Sequence, residues 1–337
     1  MPVDHLDKET SFSVQVTDSG INAGAKSRFV AAVDRLAGNF ADIANAHLEA
    51  HSEVRRAKTK GEVALIDLLA KKAAEHLNVN PDMSARAIGK HFKNVIARQE
   101  NSDEVLRSAL EDLVDDVNSD ALPESDAPLS EDFLSRFERY SENASTGELR
   151  QRWGRILAAE VRKPGTFSGK VLRLVDELDR DTALMFQSVC ENRIGGILPI
   201  SLTGRLPFGT LSKLITEDLI VDPGSNIKYI EYSIISDLSG IEMYQVYFPE
   251  MSVTFPIHVD LDSMNFVDDI LIKNGDVLGI PSYILTDAGA SIASILPHDQ
   301  RGVLKKYAEK LKSAIPTPWV RLYKSQEDRM VIEEVVT

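Results

Sequence analysis

The spacing of apolar residues along the sequence changes near Gly195, and this change constrains the fold more than any other feature. Before that residue, apolar side chains recur with the period of about 3.6 residues that is typical of amphipathic helices. After it, short runs rich in Ile, Val and Tyr are separated by Gly, Pro, Ser and Asp, as in strands joined by turns. The sequence therefore predicts an α+β fold, with a mainly helical N-terminal half and a mixed C-terminal half.

The helical half contains several distinct apolar stripes. Their spacing predicts helices over residues 26–57, 62–77, 84–99, 103–117 and 146–163, a short helix around Phe137, and another from Ser168. The Pro-containing stretch at 118–130 is predicted to be a linker or long loop. The acidic run from Asp103 to Asp132, in which Arg107 is the only base, is predicted to be a solvated surface, and a docking strip for a basic partner is the alternative. We divide the chain into a helical region 1–120, a helical core segment 121–195 and an α+β domain 196–337.

The C-terminal half has winged-helix-like elements. A predicted helix at 210–218 precedes strand candidates in NIKYIEYSIIS, IEMYQVYF, MSVTFPIHV and YILT, and helices are predicted at 288–295 and 300–314, before the terminal strands WVRLYK and MVIEEVV. In DNA-binding winged helices the reading helix carries basic residues. Here it carries only Lys213, against Glu217 and Asp218. We therefore expect protein contacts rather than major-groove reading.

Charge and cysteine content narrow the functional classes. The 337 residues carry a formal net charge of −14, which disfavours nucleic acid except where positive charge is concentrated, as on the predicted Arg86/Lys90/Lys93 face. Cys190 is the only cysteine, so an intramolecular disulfide and a cysteine zinc cage are excluded, and a buried thiol is expected. With no signal-peptide pattern and no apolar stretch near 20 residues, we expect a cytoplasmic protein.

The residues that could carry chemistry do not form a recognisable site. His47 and His51 share a helix face at a spacing of four, but neither a third ligand nor an HExxH glutamate accompanies them. The segment GTFSGKV lacks the spacing and the hydroxyl of a phosphate loop. Acidic pairs, which an acidic chain produces by chance, occur at Asp260/Asp262 and Asp268/Asp269. We predict no catalytic residue, no cofactor and no metal.

One segment, GELRQRWGRILAAEVRKPGTFS, has the pattern of a helix with a Trp-x-x-Ile-Leu-Ala-x-Glu core followed by Pro-Gly-x-Phe-Ser. It resembles the hallmark of a bacterial family catalogued as domain of unknown function 2806. The matching residues are Trp153, Leu157, Ala158, Glu160, Pro164, Gly165, Phe167 and Ser168. The likeness covers roughly residues 90 to 300. The resemblance implies an association with abortive-infection genes, and through that association alone a role in phage defence.

Glu160 is the unusual residue of this segment. On a wheel of about 100° per residue, Glu160 falls at the centre of the apolar stripe that contains Trp153, and also in the last helical turn, where the macrodipole disfavours a carboxylate. A buried anion in that place needs hydrogen-bond donors. We predict that free N–H groups at the start of the helix from Ser168 supply them, that Gly165 allows a tight turn, and that Thr166 or Ser168 caps the second helix.

Three functional hypotheses follow. The first is a non-enzymatic interaction or sensor protein, with a protein partner or a second copy of the chain, rather than nucleic acid or a membrane. The second is a hydrolase or nuclease whose site is assembled from dispersed acidic and histidine residues. The third is a winged-helix transcription regulator.

Overall fold

The protein is described by a computed structural model covering residues 23–37, 81–115, 127–224, 227–236, 240–248, 251–259, 269–275, 277–326 and 329–336. Within the described ranges, the chain forms helices before about residue 190 and antiparallel sheets after it, which confirms the α+β class. Tertiary contacts divide the chain into two compact units, Met1–Leu172 and Arg173–Thr337. The three-region division drawn from the sequence stays a prediction, and the predicted helix 62–77 lies outside the described residues.

The first unit is a helical bundle around one apolar core. Its helices are α1 (Ala23–Ala37), α2 (Pro81–Asp115), α3 (Glu131–Glu142) and α4 (Gly147–Arg162). Each helix buries its apolar face. The fully buried side chains include Leu106, Phe137, Ile156 and Leu157. The predicted helix 146–163 is confirmed, since the Thr146 hydroxyl accepts a hydrogen bond from the Leu149 N–H at 3.2 Å and thus caps the N-terminus of α4.

Helix α2 corrects a prediction. The sequence predicted separate helices at 84–99 and 103–117, but one helix, Pro81–Asp115, runs through both segments. Asn101 donates to the Glu142 carbonyl at 2.8 Å, and the Ser102 and Ser141 hydroxyls lie 3.1 Å apart. Because these polar side chains find partners on α3, they do not compete for the backbone of α2.

Helices α2 and α4 approach closely at Gly154. A Cβ at this position would lie 2.6 Å from the Cβ of Ser108, so only glycine fits without a shift. The two helices are also joined by the Arg162 guanidinium, which binds the Asp112 carboxylate at 2.8 Å.

The second unit begins within α5 (Gly169–Glu177), which crosses the boundary between the units. Its further helices are α6 (Arg180–Cys190), α7 (Ile200–Thr203), α8 (Phe208–Thr216), α9 (Asp287–Ser294) and α10 (Gln300–Ala314). Its strands are β1 (Ile197–Pro199), β2 (Tyr229–Glu231), β3 (Ser233–Ser236), β4 (Glu242–Phe248), β5 (Met251–Pro256), β6 (Ile272–Asn274), β7 (Val277–Ile284), β8 (Val320–Gln326) and β9 (Arg329–Val336).

These strands form two antiparallel sheets. In the four-stranded sheet the order is β1-β7-β2, and β6 also pairs with β7. The five-stranded sheet has the order β3-β4-β5-β8-β9. Val253 and Phe255 of the second sheet belong to a core that includes Leu304, Tyr307 and Leu311 of α10. In this core the hydroxyls of Tyr232 and Tyr307 lie 2.8 Å apart, so each buried hydroxyl is satisfied by the other.

The winged-helix-like elements are present, but their wing differs from the expected hairpin. The helices and strands follow the order α6, β1, α7, α8, β2, β7, and β2 and β7 pair in one sheet. Residues 232–276 intervene between these two strands, and they contribute β3, β4 and β5 to the other sheet. The strands that follow α8 are therefore divided between two sheets. Among the described helices, none combines the length and apolarity needed to cross a bilayer.

Candidate functional site

The segment 153–168 was singled out by the sequence, and an aromatic cluster anchors its first residue. Trp153 is buried and stacks on Tyr140, with ring centroids 4.8 Å apart and planes 10° from parallel. Phe137 packs edge-on against the same indole at 5.9 Å and stacks on Phe133 at 5.4 Å. This stack fixes α4 against α3, so the Trp of the segment has a packing role.

Glu160 lies in the last turn of α4, with 2% of its surface exposed. Its Oε1 accepts a hydrogen bond from the Gly165 N–H at 2.6 Å, and its Oε2 accepts one from the Phe167 N–H at 2.8 Å. The sequence predicted a buried carboxylate held by backbone donors, and this geometry has that form. The donors lie in the turn before α5, whereas the prediction placed them at the start of the next helix.

The turn from Pro164 to Ser168 presents these donors. Gly165 has a φ of +87°, a left-handed conformation that glycine adopts without a steric penalty. The Thr166 hydroxyl donates to the Lys163 carbonyl at 2.7 Å, so Thr166 binds back to α4 rather than capping α5. The Ser168 hydroxyl accepts a long hydrogen bond from the Val171 N–H at 3.4 Å, which leaves Ser168 as the cap.

The pKa of Glu160 is raised above its ordinary value. Burial is the larger cause because it penalises the charged form, and the backbone hydrogen bonds from Gly165, Phe167 and Thr166 lower the pKa by a smaller amount. A raised carboxyl pKa also occurs in catalytic acids, but such a group must lie within hydrogen-bond reach of the substrate atom that it protonates. Both oxygens of Glu160 are instead directed at the backbone of the adjoining turn, so the geometry is that of a structural latch.

Arg28 is a second polar residue of this region, and the sequence gave no signal for it. Its side chain, 5% exposed, reaches from α1 to the end of α4 and donates from Nε to the Val161 carbonyl at 2.6 Å. A cation in this place is favourable because the last carbonyls of a helix carry partial negative charge. The partner is a main-chain atom 133 residues away, so no side-chain pattern could have indicated it.

In the second unit, α8 presents a mainly apolar face. Phe208, its first residue, is 87% exposed. On a wheel of about 100° per residue, half-buried Leu211 and Ile215 share its side of the helix. The basic residue of this helix is Lys213, whose ammonium group binds the Asp179 carboxylate at 3.1 Å. Hydrogen bonds from Thr182, together with Lys213, lower the pKa of Asp179 to about 2.

The remaining candidates from the sequence fall in three groups. Cys190 is fully buried, and burial raises the pKa of its thiol to about 12, so it is not a poised nucleophile. Asp269 is described, and it pairs with Arg205 at 3.1 Å. The candidates that lie outside the described residues are His47, His51, Asp260, Asp262 and Asp268. Within the described ranges, no three His, Cys, Asp or Glu side chains are grouped as metal ligands.

Comparison with known proteins adds one family. Residues 85–194 match the family model described as protein of unknown function (DUF2806), which confirms the resemblance and includes all of the segment 153–168. The matched residues begin in α2 and end just after α6, whereas the likeness was expected to continue to about residue 300. No curated protein and no solved structure matches the chain significantly.

Proposed function

We propose that this protein is a non-enzymatic cytoplasmic interaction protein, in which the bundle is a scaffold and the winged-helix-like unit contacts a protein partner. The observation that carries the proposal is Phe208. Phe208 is 87% exposed, and half-buried Leu211 and Ile215 extend it into an apolar face; a contiguous apolar face of this kind marks an interaction site better than a single exposed side chain does. Buried aromatic side chains are the usual anchors of protein interfaces.

The charges around α8 support a protein partner over nucleic acid. Lys213 is paired with Asp179, and the outward face carries Phe208 where a DNA-reading helix would carry basic groups. The conspicuous buried groups also support a non-enzymatic role. Both oxygens of Glu160 are held by backbone N–H groups, and the Cys190 thiol is enclosed.

A photo-crosslinking experiment tests the proposal. The full chain is expressed in its host with p-benzoylphenylalanine in place of Phe208 and irradiated. We expect an adduct of defined mass that contains one other protein, identified by mass spectrometry. The control places the same residue at Lys306, an exposed position on α10 of the same unit. Equal yields of the same adduct at both positions would contradict a partner site on α8.

The regulator hypothesis makes the opposite prediction for DNA. We expect no specific, tight binding to duplex DNA, because the net charge is −14 and Lys213, the basic residue of α8, is already paired with Asp179. Fluorescence anisotropy with defined duplexes at about 150 mM salt measures this. An affinity in the nanomolar range of specific regulators would favour the third hypothesis.

The hydrolase or nuclease hypothesis makes a prediction about metal. We expect no stoichiometric metal in purified protein, and elemental analysis after dialysis measures it. Zinc retained at one equivalent, and lost when His47 or His51 is replaced, would favour the second hypothesis.

We extend the proposal to a role in phage defence. The only ground for this extension is that similar domains are associated with abortive-infection genes. Plating efficiency on a host that carries the wild-type gene is compared with a host that carries Phe208→Ser. We expect the protection to be lost with the variant. Equal plating on both hosts and on a host without the gene, across a phage panel, would contradict this extension.

A further inference from the structure

Helix α2 has an unusual charge distribution along its length. Apart from Asp82 in the first turn, residues 81–99 contain no Asp or Glu, although the whole chain carries a net charge of −14. The basic residues of this half are Arg86, Lys90, Lys93 and Arg98. From residue 100 onward, Arg107 is the single base, and the acidic residues are Glu100, Asp103, Glu104, Glu111, Asp112 and Asp115. The helix is therefore basic in its first half and acidic in its second.

The two kinds of charge lie on the same face. On a wheel of about 100° per residue, the side chains of Lys90, Lys93, Glu100, Glu104 and Glu111 fall within about 80° of one another. Both lysines, Glu100 and Glu111 are exposed. Glu104 is 35% exposed and bound to Arg107 at 2.7 Å. One exposed stripe thus runs from positive to negative; we call these five residues the polar stripe.

The bundle does not account for the polar stripe. The acidic C-terminal half opposes the helix macrodipole, which favours basic residues in the last turn, where α2 has none. Other charges of α2 are used inside the unit, as Asp112 is by Arg162. Across the described part of the chain, Lys90, Lys93, Glu100 and Glu111 have no ion-pair partner.

We infer that the polar stripe is a self-association surface, on which α2 pairs antiparallel with α2 of a second copy of this chain. An antiparallel pair places the basic half of each helix along the acidic half of the other, and a two-fold axis repeats every contact. With that axis near Glu100, Lys90 lies about 15 Å from it and Glu111 about 16 Å, at a rise of about 1.5 Å per residue. Lys90 of each copy therefore meets Glu111 of its partner.

A second copy fits the polar stripe better than a polyanion does. A nucleic acid or an anionic membrane that follows the stripe would contact Lys90 and Lys93 but would meet repulsion from Glu104 and Glu111. A second copy pairs the outer charges of both halves at once, Lys90 with Glu111 in each direction, and only the two Glu100 side chains lie beside a like charge, at the axis. Close approach is possible near the axis because Ala97, on the same side of the helix, is small and exposed.

This inference deepens the proposed function, because it names a second copy as one protein partner and rests on the chain acting through protein contacts. The self-association proposal and the proposed partner site on α8 can be refuted separately. The polar stripe lies in the first unit and Phe208 in the second, so Phe208→Ser leaves the association through α2 unchanged if both proposals are right. Loss of the dimer in Phe208→Ser would overturn the assignment of self-association to α2.

Sedimentation velocity of the full chain tests the inference with two charge variants. K90E/K93E makes the stripe acidic throughout, and E100K/E104K/E111K makes it basic throughout. We expect wild type to form a dimer whose dissociation constant rises at least about tenfold from low to ~0.5 M salt, because exposed ion pairs are screened. Each variant alone is monomeric, since its stripe repels an identical one. An equimolar mixture of the two forms a 1:1 heterodimer.

The mixture decides the outcome. A heterodimer arises only if the two halves of the stripe face each other across an antiparallel pair, and both variants must first show wild-type helicity and unfolding. Wild type that is monomeric at ~100 µM and low salt, where weak transient pairs of proteins are detectable, would overturn the inference. So would dimers that persist in both variants, or a mixture that stays monomeric. Retention of monomeric wild type on an oligonucleotide, lost in K90E/K93E, would identify a polyanion instead.

Discussion

Replacing Glu160 with Ala tests whether its carboxylate is a structural latch. The change removes the acceptor of the buried Phe167 N–H and that of the partly buried Gly165 N–H. A buried donor without a partner costs about 1–3 kcal/mol, whereas a partly exposed one regains most of its hydrogen bonding from water. We therefore expect Glu160→Ala to lower the free energy of unfolding by about 1–3 kcal/mol.

Glu160→Gln should cost less than Glu160→Ala. The amide oxygen can still accept from the Phe167 N–H; the amide NH₂ cannot accept from the Gly165 N–H, but Gly165 is exposed and its N–H can bind water instead. Gln also avoids the cost of burying a charge, which is the larger influence on the Glu160 pKa. We expect the order of stability wild type, Gln, Ala.

Urea unfolding of the full chain, followed by circular dichroism, measures these differences. The matched control is Arg155→Ala, on the far side of the same helix and half-buried, which should change the free energy of unfolding by less than about 0.5 kcal/mol. Should Glu160→Ala prove as stable as wild type and yet abolish a cellular phenotype, the carboxylate is functional and the latch interpretation is wrong.

Three other predictions follow from buried groups. Burial raises the Glu160 pKa, so the stability that wild type has over Glu160→Gln is fully present below the ordinary carboxyl pKa. This difference in the free energy of unfolding shrinks as the pH rises through the raised pKa of folded Glu160. Urea unfolding from about pH 4 to 7 measures it. Gly154→Ala, whose Cβ would meet Ser108, should destabilise by about 1–3 kcal/mol in thermal or urea unfolding. The control Gly147→Ala has open space and should be nearly neutral. Cys190 should react with a maleimide only in denaturant, and labelling of the native protein would contradict its burial.

Local cues made the region around Glu160 predictable from sequence. Thr146 carries a capping hydroxyl, and the Pro164-Gly165 pair stops a helix and turns the chain, so the bounds of α4 follow from neighbouring residues. The depth of Glu160 follows from the period of the helix alone. Its donors are close in sequence, which is why the type of partner could be predicted and only their position, at Gly165 and Phe167, differed.

Strand pairing could not be predicted in this way. An alternating pattern identifies a strand and its apolar face, but it does not identify the neighbouring strand. Tyr229–Glu231 follows α8 and pairs with β7, whereas Ser233–Ser236, only two residues later, pairs with β4 in the other sheet. The contact of Arg28 with a distant carbonyl was hidden for the same reason: it depends on tertiary proximity that no local pattern encodes.

Helix α2 shows how one wrong boundary can conceal a surface. Asn101 lies between the two helices that the sequence predicted, and a polar residue at the centre of a helix is costly without partners. Its partners are on other helices: its Nδ2 donates to the Glu142 carbonyl, and its Oδ1 accepts from Arg150 at 2.7 Å. Two separate helices have unrelated phases, so Lys90 and Glu111 could not be assigned to one face. Only the continuous helix, with about 1.5 Å of rise and 100° of turn for each residue, aligns them on one stripe. The buried polar contacts of Asn101 are therefore a condition for the polar stripe, and Asn101→Ala should weaken self-association through α2 as well as the bundle.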